Sequence, residues 1–323
     1  MIALEPAPVA RFGADCERLL GAPVGGRRLA LAVSGGPDSM GMLALAAAAF
    51  PGRVTAATVD HALRAASADE AAMVAAHCAT LGVPHATLAI AEPRPATGNL
   101  HAWARARRYA LLLRWAAQAG CAALLTAHHA DDQAETFLMR AARGSGVAGL
   151  AGIRARQPGA PPIIRPLLGW RRAELRAIAA AAAVPFVDDP SNRDPVFERA
   201  RVRATLAAID WLDPLRLAAA AAHAAEAEDA LAALTEIFWA QRAAETPGAV
   251  AVTVAGLPRE IRRRLAARAL RAIDPATATD NIESLLESLE SGKRATQGRV
   301  LAAPAREIWR FGPAPPRRSH QSA

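Results

Sequence analysis

Short apolar runs alternate with longer helical patterns over the first two thirds of the chain. Four runs rich in leucine, valine and alanine read as strands, at residues 29–33, 54–59, 85–90 and 122–126. Apolar or amphipathic stretches of helical period follow these runs, at residues 40–50, 68–81, 99–119 and 171–183. Alternation of this kind predicts an α/β fold, in which an open, parallel, twisted sheet of the Rossmann-like type carries helices on both faces.

The pattern changes near residues 204–214, where the strands stop. An alanine-rich helix over 215–244 and two shorter helices over 259–273 and 281–290 follow, and a strand pair is predicted within 295–311. The end of the chain is rich in proline, serine and arginine and is predicted to be disordered. We therefore predict a first domain over residues 1–210, a smaller and mostly helical second domain over 211–312, and a tail over 313–323.

The turn between the first predicted strand and its helix has the sequence SGGPDS, from Ser34 to Ser39. A glycine-rich turn at such a junction points free backbone N–H groups and the positive end of the helix dipole at one place, which suits a phosphate group. It is not a Walker A loop, because the lysine and the spacing of that motif are missing. Asp38 would repel phosphate unless a metal ion lay between them, so the turn indicates Mg²⁺ and pyrophosphate together. The alternative is an ordinary turn in which Asp38 caps the helix.

Polar side chains also follow the second predicted strand. Asp60 and His61 come directly after it, and Arg64 lies three residues further on. The carboxyl ends of parallel strands share one edge of a sheet, so Asp60 and His61 are expected on the same side as SGGPDS. The alternative is that Asp60 caps a helix while the histidine and the arginine face solvent.

The fourth predicted strand leads into HHADDQAET, at residues 128–136. His128, at the end of the strand, can contact phosphate or transfer a proton, while Asp132 and Glu135, one helical turn apart, offer oxygen ligands for Mg²⁺. Zinc fits less well, because the HExxH spacing and a third soft ligand are missing. A purely structural role for all these polar groups is the weaker alternative.

Two further stretches combine charge with helical spacing. Arg105, Arg108 and Tyr109 share one face of a predicted helix, which can neutralise the phosphates of ATP or RNA or form a solvated basic surface. Asp188 and Asp189 can bind an amine or form an acidic turn. The arginines that follow them suit RNA or a solvated helix; they are Arg193, Arg199, Arg201 and Arg203.

The composition of the chain indicates which kinds of partner and cofactor it can bind. The 323 residues include 38 Lys and Arg against 30 Asp and Glu, and the net charge of +8 favours a polyanion such as RNA over a basic protein without such a partner. Cys16, Cys78 and Cys121 are scattered, which argues against a zinc site, an iron–sulfur cluster or a paired-thiol carrier and predicts buried free thiols. No apolar stretch approaches the ~20 residues of a membrane span, and no secretory leader pattern is present. We expect a cytoplasmic protein.

Together these motifs resemble those of the bacterial tRNA(Ile)-lysidine synthetases. SGGPDS alone resembles the pyrophosphate loop of N-type ATP pyrophosphatases, which split ATP between its α and β phosphates. The longer resemblance runs from about residue 31 to residue 203 and includes VDHALR, HHADDQAET, RPLL and DDPSN. It implies a pyrophosphate-loop fold and a ligase. Such an enzyme uses ATP to adenylate C2 of the wobble cytidine in an isoleucine tRNA with a CAU anticodon, and then replaces AMP by free L-lysine.

The resemblance also implies roles for individual residues. The residues expected to bind ATP are Ser34, Gly35, Gly36, Pro37, Asp38, Ser39, Asp60, His61 and Arg64. The expected catalytic residues are Asp38, Arg108, His128 and Asp132, of which Asp38 and Asp132 would hold Mg²⁺. Contacts with tRNA are expected from Arg105, Arg199, Arg203, Arg262, Arg263 and Arg264. Contacts with lysine are expected, from charge alone, at Asp188 and Asp189.

Two other classes stay open beside this interpretation. A tRNA thiolase shares the same loop but needs a persulfide or several cluster-binding cysteines, and a non-catalytic RNA-binding protein would not need the acidic and histidine cluster. Longer family members carry a further C-terminal module that this chain is too short to hold, so the arginine-rich helix at 259–273 is expected to be the main tRNA-docking surface. Whether the chain is a monomer or a homodimer stays open.

Overall fold

The computed structural model describes residues 4–60, 66–92, 95, 98, 100–188, 196–279 and 282–315. The chain forms two compact units, Met1–Ala225 and Glu226–Ala323. The division lies inside a long helix, Pro214–Arg242, and the domain boundary between residues 210 and 211 stays a prediction. Because this helix is an unbroken alanine-rich run, its sequence carries no signal for a boundary within it.

The strands of the first unit form a single six-stranded sheet. They are β1 (Arg28–Ala32), β2 (Val54–Asp60), β3 (His85–Ala89), β4 (Cys121–Leu125), β5 (Arg156–Gln157) and β6 (Ile163–Ile164). The order is β3-β2-β1-β4-β6-β5, and each pair is parallel except β5 with β6. The predicted parallel sheet is therefore confirmed. The two strands missing from the prediction, β5 and β6, have only two residues each and give no periodic signal.

Helices cover both faces of this sheet. The helices of this unit are α1 (Pro6–Leu20), α2 (Pro37–Ala49), α3 (Ala66–Thr80), α4 (Leu100–Gln118), α5 (Ala130–Ala142), α6 (Val147–Leu150), α7 (Arg172–Ala181) and α8 (Glu198–Ala208), and α9 (Pro214–Arg242) begins in it. Leu29 and Leu31 belong to one apolar cluster with α1, α2, α3 and α7, whereas Ala30 belongs to a second cluster with Leu112 and Ala116 of α4. Alternate residues of β1 thus point to opposite faces, and both faces are covered.

The strand order places β1 beside β4, although β2 and β3 separate them in sequence. The chain passes from β1 to β2 on one side, while β4 pairs with β1 on the other side. Because β1 and β4 are parallel, the chain leaves both at the same edge of the sheet, where α2 and α5 begin. In open α/β sheets a reversal of this kind forms a crevice at the carboxyl ends of the strands, and ligands bind there.

The second unit combines helices with a five-stranded sheet. Its elements beyond the end of α9 are β7 (Ala243–Thr246), β8 (Ala249–Thr253), α10 (Arg259–Ile273), α11 (Glu283–Glu290), β9 (Ala295–Gln297), β10 (Val300–Ala305) and β11 (Ile308–Pro313). The order is β7-β8-β11-β10-β9, and all pairs are antiparallel. Leu265 and Leu286 of the helices pack with Val252, Trp309 and Phe311 of the sheet.

This unit contains more sheet than the mostly helical domain that the sequence predicts. The predicted strand pair is present as β10 and β11, but β7, β8 and β9 were not expected. Alanine and threonine dominate β7 and β9, and neither residue gives a strong apolar alternation. No helix among the described residues combines the length and the apolarity required to cross a bilayer.

The contact between α2 and α7 depends on a glycine, and its replacement should destabilise the first unit. A Cβ at Gly41 would lie 2.9 Å from the backbone oxygen of Leu175, which cannot move away as a flexible side chain can. We expect Gly41→Ala to lower the free energy of unfolding by about 1–3 kcal/mol, which denaturant titration would measure.

Gly13→Ala is the matched control, because Gly13 also lies inside a helix and its Cβ would approach no atom closer than 3.9 Å. This substitution should leave stability unchanged or raise it by up to about 1 kcal/mol, since alanine favours helix. Equal effects at the two positions would contradict the close contact between α2 and α7.

Candidate active site

The SGGPDS turn forms a closed loop in front of α2. Gly36 is the N-cap of this helix and Pro37 its first residue, so Asp38 lies in the first helical turn and does not cap it. The Ser39 hydroxyl donates to the Gly36 carbonyl oxygen at 3.0 Å and accepts from the Ser34 backbone N–H at 3.1 Å. Ser39 therefore stabilises the loop through these two hydrogen bonds. The backbone N–H groups of the first helical turn that have no partner within the helix can bind an anion.

Gly35 allows this loop to turn against α3. Its φ of +81° lies in the left-handed region that favours glycine, and a Cβ there would lie 3.4 Å from the Met73 Cε atom. The first glycine thus serves the backbone conformation of the loop rather than the direct approach of a ligand.

His129 joins the loop after β1 to the loop after β4. Its side chain is fully buried, and Nε2 lies 3.3 Å from Oδ2 of Asp38 and 3.5 Å from Oδ2 of Asp132. His129 is also the N-cap of α5: its Nδ1 accepts the Asp132 backbone N–H at 3.2 Å, while the Asp132 carboxylate accepts the His129 backbone N–H at 3.2 Å. This reciprocal capping box fixes the orientation of the imidazole ring.

The capping geometry also determines which way the two nitrogens of this ring face. Burial lowers the pKa of His129, but the hydrogen bond to Asp38 and the charges of Asp132 and Asp38 raise it further, so that it lies above its ordinary value. A second proton on Nδ1 would nevertheless face the N–H of Asp132. Nε2 therefore lies on the side of the ring that faces the two carboxylates, where Nε of Arg172 also approaches it at 3.4 Å.

Asp132 is ionised and Asp38 is incompletely hydrogen-bonded. Burial raises the pKa of Asp132, but His129, His128 and nearby arginines lower it further, so the pKa lies below its ordinary value. The Oδ1 atom of Asp38 is buried and has no hydrogen-bond partner among the described residues. A buried oxygen of this kind is costly unless a ligand or a cation satisfies it.

His128 lies at the end of β4 and differs from its neighbour. Its Nδ1 lies 3.0 Å from the Thr126 hydroxyl. Burial lowers the pKa of the His128 imidazole to about 3, against the opposing charge of Asp132, and the charges of Arg165, Arg105 and Arg108 lower it as well. His128 is thus neutral, and it can offer a hydrogen bond to a phosphate but no positive charge.

Positive charge near the site comes from arginines instead. Arg203 contacts the buried Glu135 carboxylate at 2.7 and 3.3 Å, Arg199 at 3.5 Å and Arg172 at 3.6 Å. One carboxylate therefore orients three guanidinium groups, of which that of Arg172 also approaches Asp132 at 3.8 Å. Across the site, Arg105 and Arg108 lie 5.1 and 5.5 Å from the centre of the Tyr109 ring.

A cavity of about 800 Å³ brings these groups together. The expected site residues that line it are Ser34, Gly36, Pro37, Asp38, Ser39, Arg105, Arg108, His128, Asp132, Asp188, Arg199 and Arg203. Gly35 and Asp60 are not part of the lining, and Asp188 is paired with Arg176. His61, Arg64 and Asp189 lie outside the described residues.

Several residues that line the cavity were not among the site residues predicted from the sequence. Arg172 and Arg176 lie on α7, far from the phosphate loop in sequence, and Thr58 and Glu70 come from β2 and α3. The ends of these elements reach the crevice only because of the strand order. The position of Arg172 one residue after Arg171 at a helix start was visible, but the residues it would contact were not.

The three remaining arginines that were expected to contact tRNA lie on α10 in the second unit. Arg262 pairs with Glu290 at 3.1 Å, and Arg263 with Glu283 at 2.6 Å. Arg264 pairs with Glu228 at 2.6 Å and with Glu260 at 2.8 Å. Their role in tRNA binding stays a prediction, and each guanidinium already has a carboxylate partner.

Comparisons with known proteins agree with this geometry. Residues 11–209 match the model of a family described as a PP-loop domain. A tRNA(Ile)-lysidine synthase of Zymomonas mobilis is 41% identical over 315 residues, which cover 95% of this chain and 94% of that protein. A tRNA(Ile)-lysidine synthase of Methylobacterium sp. is 46% identical over 283 residues, or 84% of this chain and 80% of that one.

Among solved structures, the U34-tRNA thiolase NcsA from Methanococcus maripaludis matches with a TM-score of 0.56 at 18% identity. The match covers 69% of this chain and 80% of that chain. At this level of identity the two proteins share the fold alone.

The two nitrogens of His129 should be separable by substitution. In His129→Asn the side-chain oxygen can still accept the Asp132 N–H, but no donor reaches Asp38. In His129→Gln the amide can place a donor near the position of Nε2, while the helix cap is lost. We expect the Asn variant to lose about 10- to 100-fold in kcat/KM for ATP, mostly through KM, with little change in stability.

The Gln variant should retain more of the ATP dependence and lose about 1 kcal/mol of stability with the cap. Steady-state kinetics and thermal melts of both variants measure the two effects. Equal kinetic losses with equal melting temperatures would contradict separate roles for the two nitrogens.

His128 should remain neutral from pH 8 down to about pH 5, because its pKa is lowered from 6.5 to about 3. A ¹⁵N NMR titration of the histidine side chains would follow the ring, and the signal that disappears in His128→Gln identifies it. A midpoint near 6.5 would mean that the ring is solvated and charged.

Proposed function

This chain belongs to the tRNA(Ile)-lysidine synthase family of PP-loop proteins, and we propose that it joins free L-lysine to C2 of the wobble cytidine in an isoleucine tRNA with a CAU anticodon. The reaction uses ATP and releases AMP and pyrophosphate. The observation that carries this proposal is the convergence of the phosphate loop, Asp132, His128 and six arginines on one cavity. Such a lining suits a nucleoside triphosphate.

The polyphosphate of ATP would bind between the N-terminus of α2 and the arginines of the cavity. The free N–H groups of the Ser34–Ser39 loop and the helix dipole attract the pyrophosphate portion. Arg199 and Arg203 are held by Glu135 and need little reorganisation when the charge of the phosphate develops. Arg108 and a neutral His128 would complete the contacts, the first by charge and the second by a hydrogen bond.

The residues present fit Mg²⁺ at this site. Asp38 contributes a buried oxygen without a partner among the described residues, and Asp132 is an ionised carboxylate in the same cavity. Hard oxygen ligands of this type, few in number and shared with substrate phosphates, are those that Mg²⁺ takes. When bound, the ion would neutralise phosphate charge and allow Asp38 to lie beside it.

The reaction has two bond exchanges. The C2 oxygen of the cytidine attacks the α phosphorus of ATP, the bond to pyrophosphate breaks, and an adenylated cytidine forms. The ε-amine of lysine, having lost its proton, then attacks C2, and the C2–O bond breaks to release AMP. Asp188, which lines the cavity beside Arg176, is our candidate for holding the lysine ammonium, and Asp189, the next residue in the sequence, is the alternative.

A thiolase function is the less favoured alternative. Cys16, Cys78 and Cys121 are all buried. Burial raises the pKa of each thiol, that of Cys78 to about 11, so none is poised as a thiolate nucleophile. A non-catalytic RNA-binding role would leave the buried cluster of His129, Asp38 and Asp132 without a purpose that offsets its desolvation.

Incorporation of radiolabelled lysine into an unmodified isoleucine tRNA transcript tests the proposal. With ATP and Mg²⁺, we expect acid-stable label that survives mild base, which excludes an aminoacyl ester. The same transcript with uridine in place of the wobble cytidine is the control and should take up no label. Equal labelling of both transcripts, or equal use of arginine or ornithine, would overturn the assigned substrate.

Asp38→Asn should lower lysine incorporation at least about 100-fold, because it removes the charge of a carboxylate from the phosphate site. Asp210→Asn removes the same formal charge at an exposed position outside the cavity lining and should retain normal activity. ATP–pyrophosphate exchange in the presence of tRNA separates loss of adenylation from loss of lysine transfer. Normal turnover by Asp38→Asn would refute its role at the phosphate site.

A further inference from the structure

Most of the positive charge of α10 is balanced within the second unit. Five of its arginines pair with glutamates of α9, α10 and α11, and the pairs are Arg259–Glu283, Arg262–Glu290, Arg263–Glu283, Arg264–Glu228 and Arg268–Glu236. Glu260 contacts two of these arginines as well. Five of the six guanidinium groups of α10 therefore meet five carboxylates, and the sixth, that of Arg271, bonds to the Thr279 hydroxyl at 3.0 Å. Most of the positive charge of the helix is thus neutralised before a polyanion approaches.

The larger group of cations without a carboxylate partner in this unit lies around β9, β10 and β11. All five cations of residues 293–310 are exposed, and none has an ion pair or a side-chain hydrogen bond within the part of the chain that the structure describes. They are Lys293, Arg294, Arg299, Arg306 and Arg310, and we call them the basic sheet face. The same stretch contains a single acid, Glu307, so its net charge is +5 − 1 = +4.

The strand register places Arg310 on the outer face of the sheet. Arg310 pairs with Ala303 in β10 and with Ala251 in β8, whereas its neighbours Trp309 and Phe311 are buried against the helices. The small side chains of Ala303 and Ala251 leave space around the guanidinium. The outer face is thus shallow at this point, and Arg310 is exposed among the residues that the structure describes.

The same register brings other cations toward this face. Ala295 opposes Ala302, so Arg294, the residue before β9, continues the row of Ala303 and Arg310. Adjacent strands lie about 4.8 Å apart, which puts the backbones of Arg294 and Arg310 about 10 Å from each other. Arg299 and Arg306 flank β10 at its two ends.

We propose that the basic sheet face docks the phosphate backbone of the tRNA, and that α10 does not. The proposal rests on the proposed function, from which the polyanion is taken to be tRNA. Arginine binds phosphate with its planar fork, and a guanidinium without a carboxylate partner exchanges only water and counterions for the phosphate. The shallow, alanine-lined sheet would admit a stem backbone, which is recognised mainly through its phosphates and shape.

Two double variants with the same change in formal charge test this assignment. Arg294→Gln with Arg310→Gln removes two unpaired charges from the basic sheet face, whereas Arg262→Gln with Arg263→Gln removes two paired charges from α10. Filter binding of the unmodified tRNA transcript over a series of KCl concentrations gives the affinity and its salt dependence. Thermal melts confirm that both variants are folded.

We expect the sheet variant to bind about 10-fold or more weakly near 0.1 M salt, with the slope of log K against log salt reduced by about 2. The α10 variant should weaken binding less than about 3-fold with an unchanged slope. Equal losses in the two variants would mean that net charge alone matters, and a larger loss for α10 would return the docking surface to that helix. Either result overturns the proposal.

Two further outcomes would each contradict one of the two hypotheses, the docking proposal or the proposed function. Unchanged tRNA affinity in the sheet variant, together with weaker binding to polyglutamate, would assign the face to an acidic protein segment and overturn the proposal. Tight, salt-dependent tRNA binding that the sheet variant loses, without any lysine incorporation by the unaltered chain, would contradict the proposed function and leave the docking surface intact. The experiment therefore distinguishes a failure of the docking proposal from a failure of the proposed function.

Discussion

The parallel pairing of β1 with β4 is the constraint on which the site depends. It brings together two loops that lie about ninety residues apart in sequence, Ser34–Ser39 and the turn that contains His128 and His129. Each loop alone has an ordinary explanation as a helix start, and α5 does use His129 as its cap. Only at the reversal of strand order do an anion-binding helix terminus and a cluster of carboxylates face one another.

Burial of these charged groups costs free energy, and their hydrogen bonds and ion pairs with one another offset that cost. Asp38 and Asp132 both lie beside Nε2 of His129, and Glu135 is surrounded by guanidinium groups. The pairing is incomplete at one atom, Oδ1 of Asp38, which has no hydrogen-bond partner among the described residues. The Mg²⁺ that we propose here would satisfy this oxygen, and the proposed triphosphate would meet the arginines around it.

Much of the first unit follows from local sequence, because its strands are continuous apolar runs bounded by glycine or proline. The phosphate loop and the HHADD cluster were predictable for the same reason: each follows a recognisable strand. The β7 and β9 strands were not, since alanine and threonine carry little strand signal. Arg172 and Arg176 were missed because their approach to the cavity depends on the packing of α7 against α2, which no local pattern encodes.

The arginines of the second unit show that ion pairs between helices, too, could not be predicted from the sequence. A sequence reveals that α10 is rich in arginine, and it reveals Glu260 within one helical turn of Arg264. It does not reveal that Glu228, Glu283 and Glu290 arrive from neighbouring helices, and these decide whether the charge is free. Paired arginines fix the packing of helices, and unpaired ones are left to bind a partner. The net charge of +8 is a property of the whole chain. Binding of a polyanion depends instead on where the cations without a carboxylate partner lie.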